Sequence, residues 1–392
     1  MDTSKISLDP SMIAANDRWM ALTTNLRRFS SQNAPMDDEY GNLDNAGETY
    51  VYDGMFQLEQ GGEIVNPAIR YKTYGALNEG RDNVLFVCHA LTGNASVHQW
   101  WQSFVDEFSQ DYYVICANVL GGHYGSTGPM SMDPVTSEMY GMSFPDVTVR
   151  DTARIFLDML QNEVGVTSIK GVVGGSFGGM QAIEMAILSN LESYGPEVRG
   201  LIPLSSNAYH SAWQIGISEV QRNCILTNFE NNPDFCPTKN LHGLSLARQM
   251  AMITYRSRAG YQDKFARDVA SNKNQWQVGS YLDYQGQKFL SRFNPTSYIK
   301  LTEQMDTHDI GRGRGGIDKV LNSLKVPTQI IGISSDVLYP PSEQQYLYDK
   351  MKGTNGDNVK IDIIESDAGH DGFLLEQTEV NALIDNHLKT YE

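Results

Sequence analysis

The chain has 392 residues, of which 41% are hydrophobic, enough to bury a large core in one domain with an insertion or in two domains. Its formal net charge of −17 argues against nucleic acid or an anionic membrane as a partner, because either polyanion would repel it. The sequence contains no apolar run of about 18 residues, the length that could span a membrane, and its four cysteines are too few and too scattered for a disulfide framework.

Residues 1–45 form a polar N-terminal leader that lacks the basic and apolar regions of a secretory signal peptide. We therefore expect a cytoplasmic protein. After the leader, apolar strand-like segments alternate with helix-like ones, which is typical of βαβ units and a mostly parallel sheet. The predicted strands are Tyr50–Leu58, Ala68–Tyr74, Asn83–His89, Tyr112–Val119, Ile169–Val173, Val198–Leu204, Thr328–Ile333 and Val359–Glu365, and the helices among them are Val147–Glu163, Gln181–Leu188 and Glu379–Leu388.

The alternation stops over residues 209–324, where the sequence favours helices and no convincing apolar strand. The predicted helices there are Ala212–Leu226, Gly243–Tyr255, Ser280–Arg292 and Tyr298–Asp306. We interpret this stretch as a helical lid inserted into an α/β core that is formed by residues 46–208 and 325–392.

The pentapeptide Gly174–Gly178 has Ser176 at its centre and lies between a predicted strand and a predicted helix. G-x-S-x-G in this context is the nucleophile elbow, a tight turn that holds the serine hydroxyl clear of the backbone. An acid and a histidine follow it, each just past the end of a later strand: Asp336 and His370. The order Ser176, Asp336, His370 is the one found in α/β-hydrolases, so we predict these residues as a catalytic triad.

Two backbone N–H groups are candidates for an oxyanion hole. In α/β-hydrolases one donor comes from the loop after an early strand and the other from the residue after the nucleophile. In this chain they correspond to Leu91, in the loop Cys88–Gly93, and to Phe177. The sequence supports Leu91 by its position alone.

Three further features have a structural and a functional interpretation each. The glycine-rich loop Gly121–Pro129 lacks P-loop and dinucleotide spacing, which favours a structural loop. His308 stands between acidic residues, but without further ligands at suitable spacing a polar cluster at a helix end is favoured over a metal site. Arg312 and Arg314 form a basic loop that either meets the phosphates of an anionic donor or is a connector.

With these residues in hand, the chain resembles homoserine O-acetyltransferases, acyl-CoA-dependent members of the α/β-hydrolase fold. The resemblance runs from about residue 50 to the end of the chain. It rests on several long motifs in the right order: Cys88–Gly93, Gly121–Pro129, Val173–Met180, Leu246–Arg248, Thr254–Arg256, Ser280–Leu282 with Gln285–Gly286, His308–Gly316, Ser335–Pro340 and Gly369–Leu374.

The resemblance implies that Ser176 takes the acetyl group from acetyl-CoA, the co-substrate, and passes it to an amino-acid hydroxyl, with no permanently bound cofactor and no metal. It also implies that Arg248, Tyr255 and Asp371 contact the acceptor. Arg248 and Tyr255 are two helical turns apart and so share one face of a helix, and Asp371 directly follows the catalytic histidine. Family members tend to dimerise through the lid, so a homodimer is expected.

The chain departs from the family pattern at two positions near the expected acyl pocket, Phe177 and His123, where methionine and cysteine are usual. Relatives that accept serine, or that use succinyl-CoA, remain alternatives. An ester hydrolase is a further alternative, because the triad serves both reactions. An intact triad and elbow argue against a non-catalytic binding protein.

Overall fold

The computed structural model describes residues 47–227, 239–270 and 275–391. Its strands are β1 Glu48–Val51, β2 Met55–Gln57, β3 Glu63–Val65, β4 Ala68–Tyr74, β5 Val84–Cys88, β6 Tyr113–Ala117, β7 Ser168–Gly175, β8 Glu197–Val198, β9 Leu201–Leu204, β10 Thr328–Ile333 and β11 Val359–Ile364. Nine of these strands form one sheet in the order β1-β4-β6-β5-β7-β9-β10-β11, with β8 paired to β7, and β2 and β3 form a separate hairpin.

The sheet is antiparallel on the side that begins with β1 and parallel over the rest of its width. β1 and β4, and then β4 and β6, pair antiparallel, whereas every pair from β6 to β11 is parallel. The carboxyl ends of β5, β7, β10 and β11 therefore meet at one edge of the sheet, which is where open α/β sheets place their ligands.

The helices, numbered in chain order over the described residues, cover both faces of this sheet or connect its later strands. They are α1 Val97–Trp100, α2 Gln102–Phe108, α3 Val149–Met159, α4 Phe177–Glu192, α5 Ala212–Leu226, α6 Leu241–Tyr255, α7 Arg258–Phe265, α8 Gln277–Phe289, α9 Pro295–Asp306, α10 Ile317–Ser323, α11 Pro341–Asn355, α12 Gly372–Leu375 and α13 Gln377–Leu388.

Strand β5 shows why the central strands read as continuous apolar runs. All five of its residues are buried, and alternate side chains point to opposite faces. Val84, Phe86 and Cys88 join the core that also contains residues of α3 and α4. Leu85 and Val87 join the second core, which contains residues of α2 and α13. Burial on both faces is the arrangement expected of a parallel sheet.

Most predicted elements are present with small changes in their bounds. The predicted strand Tyr50–Leu58 is wrong as a single element, because the chain turns at Gly54, where φ is +106°, and forms β1 and β2 in different sheets. Cys88 and Cys116 are buried free thiols, as predicted. Among the helices of the described ranges, none has the length and apolar content needed to cross a bilayer.

Six helices, α5 to α10, lie between β9 and β10 in the predicted lid stretch. The short helices α7, Arg258–Phe265, and α10, Ile317–Ser323, were not predicted from the sequence. The predicted leader, residues 1–45, lies outside the described residues, and the predicted boundaries between core and lid stay a prediction.

Candidate active site

Ser176 lies at a sharp turn between β7 and α4. Its backbone has φ 57° and ψ −123°, a conformation that residues with a side chain rarely adopt. The turn has no room for side chains on the flanking glycines, since a Cβ on Gly174 would lie 2.2 Å from the Gly178 carbonyl oxygen. The Ser176 N–H donates to the Leu204 carbonyl oxygen at 2.9 Å, which fixes the turn to the end of β9. This geometry is that of a nucleophile elbow.

Asp336 and His370 are brought together from the ends of β10 and β11. Nδ1 of His370 lies 2.7 Å from Oδ2 of Asp336. The other carboxylate oxygen accepts hydrogen bonds from the backbone N–H groups of Leu338 and Tyr339, both at 2.8 Å. Because an ionised carboxylate only accepts, Nδ1 carries the proton, and Nε2 of the neutral ring is left as an acceptor.

The charge of Asp336 also sets the proton affinity of the histidine. Burial lowers the pKa of His370, but the negative charge and the hydrogen bond of Asp336 raise it by more, and Asp371 adds to the increase. The net result is a pKa above the ordinary histidine value. The ring of Tyr339 stacks on the imidazole with 5.1 Å between centroids and 28° between planes, which limits rotation of His370.

The loop after β5 is held rigidly beside the elbow. His89 accepts a hydrogen bond at Nε2 from the Val119 N–H at 3.2 Å, so its Nδ1 donates to the Ala90 carbonyl oxygen at 2.8 Å. Burial lowers the pKa of His89 to about 4, which keeps the ring neutral in this role. Gln181 of α4 bonds to the His89 carbonyl oxygen, joining the loop to the helix that begins after Ser176.

The two predicted oxyanion donors are backbone N–H groups. Over the ranges that the structure describes, neither the Leu91 N–H nor the Phe177 N–H donates a hydrogen bond to a protein acceptor. Leu91 lines the cavity at Ser176, and Phe177 begins α4 directly after the serine. Unpaired N–H groups beside a nucleophile are what stabilisation of a developing alkoxide requires.

A cavity of about 270 Å³ opens over Ser176 and collects most of the predicted site. Leu91, Ser176 and His370 line it on the core side, and lid helices supply the opposite wall. Asp336 and Phe177 are buried behind this lining and do not reach it. Its other walls are largely apolar and include Trp100, Trp101, Phe373 and Leu374.

Arg248 and Tyr255 line this cavity from α6. The Arg248 guanidinium carbon lies 5.6 Å from the centre of the Tyr255 ring and 4.9 Å from that of Phe289. No carboxylate in the described parts of the chain forms an ion pair with Arg248. The guanidinium is therefore held by aromatic rings and keeps its hydrogen-bonding edge for a ligand.

Asp371 also lines the cavity, and it has a partner that the sequence did not reveal. Nε of Arg256 lies 3.1 Å from Oδ2 of Asp371. Burial raises the pKa of Asp371, while the positive charges of Arg256, His370 and Arg248 oppose that shift. The hydroxyl of Ser257 donates to the carbonyl oxygen of Asp367, so the end of α6 is fixed to the loop that carries His370.

Arg292 is a second residue that sequence reasoning missed. Its buried guanidinium donates to the Thr92 carbonyl oxygen at 2.9 Å and to the Tyr124 hydroxyl at 3.0 Å. The contact ties the lid to the loop that carries Leu91. It joins positions 200 residues apart, and no local pattern in the sequence could have indicated it.

His123 and Phe177, the two departures from the family pattern, do not line the cavity at Ser176. His123 packs against Tyr124 and Phe293, and burial lowers its pKa to about 4. The Phe177 side chain is fully buried in the core.

His308 belongs to a polar cluster at the end of α9, in agreement with the structural interpretation. Its Nε2 lies 2.9 Å from the Asn207 carbonyl oxygen, and burial lowers its pKa to about 3. No group of three or more His, Cys, Asp or Glu side chains in the described ranges is arranged to hold a metal ion.

Both arginines of the basic loop are engaged in ion pairs. Arg312 Nη2 lies 2.7 Å from a carboxylate oxygen of Glu59. Arg314 lies 2.8 Å from a carboxylate oxygen of the buried Glu184 and 2.6 Å from one of Glu192. Neither arginine lines the cavity at Ser176. The structure thus favours the connector interpretation over phosphate binding.

Comparison with known proteins identifies the family. The family profile described as alpha/beta hydrolase fold matches residues 83–377. The homoserine O-acetyltransferase of Chloroherpeton thalassium is 40% identical over 333 residues, which cover 83% of this chain and 85% of the relative. The homoserine O-acetyltransferase of Trichormus variabilis is 38% identical over 345 residues, covering 86% of this chain and 93% of the relative.

Solved structures agree on the fold. Esterase E22 matches with a TM-score of 0.76 and 21% identity, covering 87% of this chain and 99% of the esterase. The homoserine O-acetyltransferase of Bacillus anthracis matches with a TM-score of 0.74 and 21% identity, covering 86% and 97%. At such identities these two likenesses show the fold alone. The two relatives at 38% and 40% identity place the chain in the homoserine O-acetyltransferase family, within the α/β-hydrolase fold.

Proposed function

We propose that this protein transfers the acetyl group of acetyl-CoA to the side-chain hydroxyl of L-homoserine, through an acetyl-Ser176 intermediate, as a step of methionine biosynthesis. The observation that carries the proposal is Arg248, a guanidinium with no acidic partner in the described residues, in the same cavity as Ser176 and His370. Water as the acyl acceptor needs no such group, whereas the carboxylate of an amino acid does.

In the first half-reaction Nε2 of His370 takes the proton of the Ser176 hydroxyl as its oxygen attacks the thioester carbonyl. The carbonyl oxygen becomes an alkoxide, which the N–H groups of Leu91 and Phe177 stabilise. Such preorganised donors contribute about 3–4 kcal/mol each to lowering the barrier. The intermediate collapses, the C–S bond breaks, and His370 returns the proton to the leaving CoA thiolate.

In the second half-reaction the acceptor carboxylate binds Arg248 and its ammonium binds Asp371, with Tyr255 against the bound amino acid. This places the acceptor hydroxyl at the acyl group, in position for His370 to remove its proton. Attack forms a second alkoxide in the same hole. Breakage of the bond to Ser176 then gives O-acetylhomoserine, and the serine regains its proton from His370.

A covalent intermediate is the direct test. Incubation with acetyl-CoA alone should add one acetyl group to Ser176, as found by mass spectrometry, and should release free CoA. Ser176→Ala should prevent the addition and lower turnover by about 10⁴- to 10⁶-fold. Intersecting double-reciprocal plots together with no mass shift would rule out the ping-pong route.

The acceptor and donor are tested by a two-by-two panel. Initial rates with acetyl-CoA or succinyl-CoA, and with L-homoserine or L-serine, separate the proposed reaction from its relatives. Release of free acetate at a rate equal to CoA release in the presence of homoserine would favour an ester hydrolase, which several solved neighbours of this fold are named as.

We also propose a cytoplasmic homodimer that assembles through the lid. Several large apolar side chains of the lid are exposed in the single chain, which supports a partner there. They include Trp213, Val220, Ile253 and Tyr284. Light scattering of the purified protein would give the mass of the assembly. The proposed reaction needs no metal and no permanently bound cofactor.

A further inference from the structure

The proposed donor carries a nucleotide with several phosphates, and these need cations at the mouth of the cavity. Arg312 and Arg314 are already paired with glutamates and lie outside the cavity. Arg248 is expected to hold the acceptor, and Arg256 is paired with Asp371. None of these four arginines is therefore available for the nucleotide end of the donor.

Lys264 and Arg267, at the end of α7 and just after it, are cations without acidic partners among the residues described. Both are exposed and rest on aromatic rings. Nζ of Lys264 lies 4.7 Å from the centre of the Tyr281 ring. The guanidinium carbon of Arg267 lies 5.1 Å from the centre of the Trp276 ring. A cation that rests on an aromatic ring keeps its N–H donors for an anion.

These two cations are continuous with the wall of the cavity. Arg256 and Tyr281 line it, and the Arg256 side chain is still 32% exposed, so the cavity reaches the surface along this wall. Lys264, which is exposed, contacts the ring of the same Tyr281. Trp276 is the N-cap of α8, five residues before Tyr281, which corresponds to about 7.5 Å along a helix axis. An extended pantetheine arm covers more than this distance.

The local charge and the aromatic surface both suit a nucleotide. Residues 256–268 contain four cations and two acids, a net charge of +2 in a chain whose total is −17. Trp276 is 49% exposed beside Arg267. An exposed indole next to a guanidinium is the arrangement that stacks nucleobases without sequence preference.

We infer that Lys264 and Arg267 bind the phosphates of the acyl donor and that Trp276 stacks on its adenine ring. The inference rests on the proposed function, since it names where that donor's nucleotide lies. The acyl group and the pantetheine arm would then enter past Tyr281 and Arg256 towards Ser176.

The test compares two donors that share the thioester and differ in the nucleotide: acetyl-CoA and S-acetylpantetheine. In the variant with both Lys264→Gln and Arg267→Gln, KM for acetyl-CoA should rise about five- to twentyfold, the range of two exposed charge contacts. KM for S-acetylpantetheine should not change. Trp276→Ala should act in the same direction, again only with acetyl-CoA.

A matched control removes two cations at the opposite edge of the sheet, with Lys325→Gln and Lys360→Gln, which are exposed before β10 and at the start of β11. Its donor KM values should equal those of the wild type. Equal KM values for the two donors in the wild type, or an unchanged KM for acetyl-CoA in the double variant, would overturn the inference. A wild type that acylates Ser176 with neither donor would instead refute the proposed function.

Discussion

The guanidinium of Arg292, in the predicted lid, donates a hydrogen bond to the carbonyl oxygen of Thr92, the residue after Leu91. A buried charge from the predicted lid therefore fixes the loop that carries Leu91, the proposed oxyanion donor. Arg292 touches no reacting atom in the proposed mechanism, so we regard it as a positioning residue. Its effect on catalysis should pass through the position of the Leu91 N–H.

Arg292→Met should slow the acetylation of Ser176 while leaving KM for homoserine near the wild-type value. Loss of one oxyanion donor costs about 10²- to 10³-fold in kcat, and a displaced donor should cost less, about tenfold to a hundredfold. Burst kinetics with p-nitrophenyl acetate would measure the acylation rate. Arg292→Lys keeps a cationic donor and should recover part of the acylation rate. A wild-type burst rate in the Met variant would contradict the positioning role.

The pH dependence should follow His370, whose neutral form is the proposed base. Because Asp336 raises its pKa, the rate of acylation should fall with decreasing pH around a midpoint above about 6.5, the ordinary histidine value. Asp336→Asn removes the charge that opposes burial, so the midpoint should move below about 6.5. Proton NMR titration of His370 in both proteins checks the shift, and an equal midpoint in the two would show that Asp336 does not set it.

Arg248→Lys should slow the transfer of the acetyl group from Ser176 to homoserine. It should leave the acetylation of Ser176 by acetyl-CoA unchanged. The lysine keeps the charge but loses the planar fork that binds a carboxylate through two hydrogen bonds. Losing a charge-assisted bond costs about 1.5–3 kcal/mol, so kcat/KM for homoserine should fall tenfold to a hundredfold, measured beside the acylation burst. Arg199→Lys, an exposed exchange of the same type, is the control. An unchanged kcat/KM for homoserine in the Arg248 variant would show that Arg248 does not bind the carboxylate of the acceptor.

Arg314→Gln tests the connector interpretation of the basic loop. Removing one partner of a buried ion pair destabilises a protein by about 3–5 kcal/mol, and Glu184 would be left buried with less compensation. Because Arg150 still lies 3.6 Å from Glu184, the free energy of unfolding from urea titration should fall by less than this full amount, while KM for acetyl-CoA stays unchanged. A raised KM for acetyl-CoA with an unchanged free energy of unfolding would instead support phosphate binding by this loop.

The fold was largely predictable because the central strands are buried on both faces and therefore appear as uninterrupted apolar runs. Strand β10 and helix α5 have the predicted bounds, Thr328–Ile333 and Ala212–Leu226. The break at Gly54 was missed, since the residues on both sides of it have strand character. Helix α7 was missed too, and its mean composition is polar.

Residues of the site could be predicted only where they belong to short local sequence motifs. The elbow and the strand ends that carry Asp336 and His370 each stand within a few residues of a recognisable strand. The Arg256–Asp371 and Arg292–Thr92 contacts join residues far apart in the chain, and a single sequence holds no signal for such pairs. The ion pairs of Arg312 and Arg314 with glutamates also join residues far apart in the chain, so they could not be predicted from the sequence.

The packing of the elbow against the loop after β5 decides which wall of the cavity can be altered to change the acyl group it accepts. A Cβ on Gly178 would lie 2.1 Å from the Cys88 carbonyl oxygen, so backbone meets backbone there and no side chain can be shortened or lengthened. Other parts of the cavity wall consist of side chains, among them Trp100 and Leu374. Enlarging the cavity for longer acyl groups therefore has to start from such side chains and not from the elbow, whose glycines have nothing to remove.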